Sequence, residues 1–123
     1  SLDFLKQITF EKDQFMPIGQ NGWYFRNKRR AYFDQQPEET ATVVETFLIA
    51  HKVTGDNQYL KDAYRAFNWF LGKNHLGQMV YDEATGGCYD GVGADAINLN
   101  QGAESTISYL LARLALEELK PGD

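Results

Sequence analysis

Three stretches of the sequence gather side chains able to grip or transform a polar ligand. They are WYFRNKRRAYFDQQPEE (23–39), YDEATGGCYDGV (81–92) and NLNQGAEST (98–106). Carboxylates and amides recur across them, and the first two add aromatic rings. Carbohydrate sites use that chemistry: carboxylates and amides bridge neighbouring hydroxyls, while aromatic faces cover the apolar C–H face of a sugar ring. Glycine-rich turns let the backbone come close to such a ligand.

Three carboxylates are the catalytic candidates: Asp90, Glu104 and Asp34. Asp90 stands between Tyr89 and Gly91, where no local cap requires it. Glu104 falls in the first turn of an apolar helix. There it either complements the helix dipole or, sharing a face with Ile107, Ser108 and Leu111, needs a partner on a partly buried surface. Asp34 precedes a helix start and is either a capping residue or a ligand-facing carboxylate. Around them, Trp23, Tyr24, Arg26, Gln35, Gln36, Tyr89, Asn98, Asn100 and Gln101 are the substrate-binding candidates. Asp82 and Thr85 read as turn formers. If the site cleaves a glycosidic bond, Asp90 and Glu104 are the expected pair. An inverting pair stands about 6.5–9.5 Å apart.

Other chemistries fit less well. His51 and His75 lack spaced partners for a metal, and GGCYDG lacks the lysine and context of a phosphate loop. No cofactor is expected. Cys88, the one cysteine, reads as a small buried thiol and fits a reducing, cytoplasmic compartment. The net charge of −5 argues against nucleic acid, and no apolar run reaches the length of a membrane span.

The elements that must position these residues are helical. QQPEETATVVETFLIAHKVTGDNQYLKDAYRAFNWFLGKN reads as an αα-hairpin: Pro37 opens the first helix, Gly55 stops it and Asp56 caps the second. Val43, Val44, Phe47, Leu48 and Ala50 line the first helix. Leu60, Ala63, Tyr64, Phe67, Phe70 and Leu71 line the second, which is expected to run to Gly72. A last helix is expected over about 101–119, capped by Asn100 and apolar on more than one side, as when several neighbours bury it. SLDFLKQITF reads as a helix end, Asn21-Gly22 as a hairpin turn, and Thr85-Gly86-Gly87 as the turn of a second small hairpin. The expected fold class is all-α: antiparallel αα-hairpins with short β-hairpins in the connections. A chain of 123 residues makes one domain, spanning 1–123.

Taken together, FDQQPEETAT, TGD, DAYRAFNWFLGKN, YDEATGGCYDGV and NQGAEST resemble the C-terminal helical region of bacterial glycosyltransferase-like proteins. That region is similar to the (α/α) six-hairpin glycosidase superfamily, whose toroids of paired helices process or bind carbohydrate. The resemblance runs from about Phe15 to Leu116. It implies a sugar site at one mouth of the toroid, with Asp34, Gln35, Gln36, Tyr89, Asp90, Asn100, Gln101 and Glu104 near it. The periodicity offers about four helices, so the chain is expected to be a fragment of a larger toroid. The chain opens on SLDFLKQ, without Met, in keeping with that expectation. Its expected partners are carbohydrate and either the remainder of the parent toroid or a glycosyltransferase domain. The alternatives that stay open are an acid–base enzyme, a non-catalytic carbohydrate-binding domain and a helical scaffold.

Overall fold

The computed structural model describes residues 6, 9–11, 14–15 and 35–119. The expected Asn21-Gly22 turn, and with it Trp23, Tyr24, Arg26 and Asp34, lie outside the described residues. Lys6 and Thr9 have helical backbone, and a two-stranded antiparallel hairpin follows: β1 (Phe10–Glu11) and β2 (Gln14–Phe15), with Phe10 opposite Phe15. Three helices make up most of the described chain: α1 (Pro37–Thr54), α2 (Asn57–Phe67) and α3 (Ala103–Glu117). Between α2 and α3 runs a long irregular segment. It contains the antiparallel pair β3 (Gly91–Val92) and β4 (Ile97–Asn98).

The α1–α2 hairpin forms as its sequence dictates. Pro37 sits in the first turn of α1, where its missing N–H costs nothing. Gly55 closes the helix in the left-handed conformation, φ 72°, and its N–H bonds to the His51 carbonyl at 2.8 Å. One residue on, the Asp56 carboxylate accepts the Gln58 N–H at 2.8 Å and starts α2. A connection this short folds α2 back along α1, and Phe47 stacks on Tyr59 across the pair.

Val43, Val44, Phe47, Leu48 and Ala50 are all buried. The α2 stripe is buried only in part. Ala63, Phe67 and Phe70 are covered, but Tyr64 and Leu71 are exposed, because α2 ends at Phe67 and the chain turns at 68–72. That turn swings Trp69 and Phe70 fully inside, where each contributes about 1.5–3 kcal/mol by burial. Asn74 holds the following loop. Its amide donates to the Trp69 and Gln78 carbonyls, and its oxygen accepts the Leu76 N–H.

α3 departs furthest from expectation. It covers one side only: Ser105, Tyr109, Ala112 and Leu116 face the core, with Tyr109 packed against Phe67, Phe70 and Tyr81. Ile107, Leu110, Leu111 and Leu114 are 41–55 % exposed, so no described element covers their side of the helix. The core joins Phe15, Val44, Phe47, Trp69, Phe70, Val80, Cys88, Val92, Tyr109 and Ala112 in one cluster. Among the described residues no helix is long and apolar enough to cross a membrane.

Candidate functional site

Asp90 is held by backbone on both sides. Its N–H donates to the Asn100 carbonyl at 2.8 Å, and its Oδ1 accepts the Gly102 N–H at 2.8 Å. Gly102 is the residue that starts α3 and has no capping side chain of its own. Asp90 therefore caps α3 from across the loop, in place of the expected Asn100, and α3 begins two residues later than its sequence predicted. A Cβ at Gly102 would lie 2.9 Å from Asp90 Oδ1, so any larger residue there must push the carboxylate off its bond.

The next two residues tie the loop to the start of α1. Val92 exchanges two backbone bonds with Gln35, at 2.8 and 2.7 Å, while Gly91 and Val92 pair with Asn98 and Ile97. A Cβ at Gly91 would come 3.0 Å from the Gln35 carbonyl, so glycine permits this close crossing. The crossing brings Gln36, from the entry to α1, beside Asp90 and Asn98. Together with Gly91, Gly93, Ala96 and Ile97 these residues line a cleft of about 190 Å³. Asn98 turns its Oδ1 to the Asn100 N–H at 3.1 Å. Among the described residues, the second oxygen of Asp90 and the amide of Gln36 take no hydrogen bond. The cleft thus presents a carboxylate oxygen and amide donors and acceptors beside the aliphatic side chain of Ile97, which suits a ligand with several hydroxyls.

A second polar group forms on the other side of the 89–90 segment, as alternation along an extended chain requires. Asp82 Oδ1 accepts the Ala84 N–H, and its Oδ2 accepts from Tyr89 Oη at 3.2 Å and Gln101 Nε2 at 3.0 Å. Gln101 Oε1 in turn accepts from Thr85 Oγ1, which also receives the Gly87 N–H. The Ala84 N–H and the Gln101 amide hold the Asp82 carboxyl below its ordinary range. Burial, and then the Asp82 charge, push the Tyr89 phenol up. Asp82 and Thr85 are turn formers, as expected, in a hairpin bridged at Tyr81 and Cys88. Tyr89 and Gln101 spend polar atoms on that turn. Tyr89 and Asp82 border a separate cleft of about 370 Å³ with Tyr81 and Glu83.

The remaining candidates are dispersed. Gln35 is fully buried, and its Oε1 accepts the Trp69 indole N–H at 3.0 Å, so it is a core residue whose neighbour reaches the cleft. Asn100 is exposed and contributes backbone. Glu104 is exposed on the first turn of α3 and is not among the residues lining the cleft. The partly buried face on which it was expected is open, with Ile107 and Leu111 more than half exposed. Cys88 is buried, and desolvation, with the Glu38 and Asp90 charges adding to it, pushes its thiol up to about 12.

Sequence reasoning missed two polar anchors. Asp62 is a fully buried carboxylate paired with Lys6 at 2.8 Å and bonded by Gln58 at 3.1 Å. Ser105 donates to Glu38 at 3.1 Å and joins α3 to α1. Asp62 shares its side of α2 with Ala66, the only hint in the sequence that it points inward. A larger groove of about 440 Å³ between α2 and α3, lined by Tyr64, Phe67, Leu71, Tyr109, Arg113 and others, contains none of the candidate residues. Compared with known proteins, the chain matches no family model and no curated protein.

Proposed function

We propose that the protein binds carbohydrate, with the Gln36–Asp90–Asn98 cleft as its sugar site. The observation that carries this reading is the convergence of three polar side chains on one small cleft, Gln36 from the entry to α1 and Asp90 and Asn98 from the two sides of the β3–β4 pairing. Each is of a residue type suited to a polar ligand in its own right. Carboxylate and amide groups that keep hydrogen-bonding capacity among the described residues, beside one aliphatic wall, match a polyhydroxylated ring better than an apolar or planar ligand.

Binding takes precedence over glycoside chemistry. A pair of catalytic carboxylates must flank one bond. Among the described residues Asp90 alone supplies a carboxylate to the cleft. The resemblance to the helical region of bacterial glycosyltransferase-like proteins supports a sugar-handling domain within a cytoplasmic parent enzyme. The open apolar side of α3 supports the reading that the chain is part of an (α/α) toroid, since stacked helical hairpins bury such faces on their neighbours.

Calorimetric titration with neutral mono- and oligosaccharides tests the proposal. Binding that falls at least about tenfold in Gln36→Ala and Asn98→Ala, with unchanged melting temperature, supports it. Absence of binding to every sugar tried overturns it and leaves the helical-scaffold reading.

A further inference from the structure

Resting on the carbohydrate reading, the geometry points to a narrower ligand: the cleft accepts a single glycosyl unit that carries no negative charge. Size sets the first half of this statement. At about 190 Å³ the cleft is well below the roughly 300–1,000 Å³ of pockets that enclose drug-sized ligands, so it holds one ring and not a chain.

Charge sets the second half. A helix N-terminus ordinarily favours an anion, because its free N–H groups carry about half a positive elementary charge. Here that end is already taken. Asp90 places a full carboxylate on the Gly102 N–H, and the same carboxylate lines the cleft. Gln36 adds a second helix start to the cleft, but the first turn of α1 carries Glu38 and Glu39, so with the Asp90 carboxylate the described residues leave the balance of charge at the cleft negative. Among the described residues no Lys or Arg lines it to reverse that sign. Gln36 and Asn98 bring neutral amides, which accept hydroxyls without selecting for charge. The second oxygen of Asp90, with no described partner, is set to accept a sugar hydroxyl and repels a sugar carboxylate.

The test compares glucose, galactose and mannose with the uronate of each, which differs only at C6, by NMR titration of the protein. The neutral sugar that binds best is expected to bind about tenfold or more tightly than its uronate at low salt, with the gap shrinking as salt rises. Asp90→Asn keeps an oxygen for the Gly102 N–H and removes the charge. In that variant the gap should close, while the melting temperature reports that α3 is still capped. A uronate that binds wild type as tightly as its neutral partner overturns the charge inference and leaves the carbohydrate reading standing. A neutral preference that persists undiminished in Asp90→Asn also overturns it. If neither kind of sugar binds, the carbohydrate reading falls and this inference with it.

Discussion

The Asp90 carboxylate accepts the Gly102 N–H at 2.8 Å, from twelve residues earlier in the chain. One residue thereby starts α3 and furnishes the charge of the candidate cleft. The structural role and the proposed binding role coincide at that atom pair, and substitutions can separate them. Asp90→Ala is expected to cost about 0.5–2 kcal/mol of stability through loss of the cap, and Asp90→Asn much less. Chemical denaturation of the two variants checks this; equal losses would show that Asp90 does not cap α3. Gly102→Ala should also destabilise, since its Cβ would displace the carboxylate.

Glu104 is exposed at the start of α3 and lies outside the cleft lining. Glu104→Gln is therefore expected to change stability by no more than about 0.5 kcal/mol and to leave sugar affinity unaltered. A large loss of binding in this variant would place Glu104 in the site.

Trp69→Phe removes the indole donor to Gln35. Gln35 Nε2 is already buried without a hydrogen bond among the described residues, so the change leaves both ends of a buried amide unsatisfied. The unpaired oxygen alone costs about 1–3 kcal/mol, and the smaller ring adds a cavity. Because Gln35 carries Gln36 to the cleft, a fall in sugar affinity should accompany the fall in melting temperature.

The Asp62 carboxylate is buried, and its partners reach it from two helical segments. Losing one partner of a fully buried pair costs about 3–5 kcal/mol. Lys6 is partly exposed and Arg65 stands nearby, so Lys6→Met should cost less, about 1–2 kcal/mol. Denaturant midpoints of the single variant and of Lys6→Met combined with Asp62→Asn measure it. The double variant is expected to recover part of the loss.

Cys88 gives the protein an alkaline limit. Its folded thiol titrates near 12 and its reference value is 9.0, so the unfolded chain releases this proton first. Stability is full below pH 9 and declines as pH rises toward about 12. Burial raises the Tyr109 phenol as well and acts in the same direction. Denaturation midpoints across this range should fall in wild type, and less steeply in Cys88→Ala. At pH 8 the native thiol should resist alkylation and react only on unfolding.

The helical hairpin was legible because local signals fix it: Pro37, Gly55 and Asp56 each act on backbone within a few residues. The strands β1 to β4 escaped because two residues are too few for an alternating pattern. The start of α3 escaped for a different reason, since its cap comes from across the loop. Likewise, Gln36, Asp90 and Asn98 could be listed by their chemistry, but their meeting depends on the Gln35–Val92 pairing, which no spacing reveals. The apolar pattern of α3 showed which residues can be buried and could not show which neighbours are there to bury them.

Amide-resolved NMR titration with the best-binding neutral sugar shows whether a sugar occupies the Gln36–Asp90–Asn98 cleft. Saturable shifts are expected at Gln36, Asp90, Gly91, Gly93 and Asn98, and their loss in Asn98→Ala. Shifts confined to the groove beside Tyr109 and Arg113, or to the Tyr81–Tyr89 cleft, would contradict it.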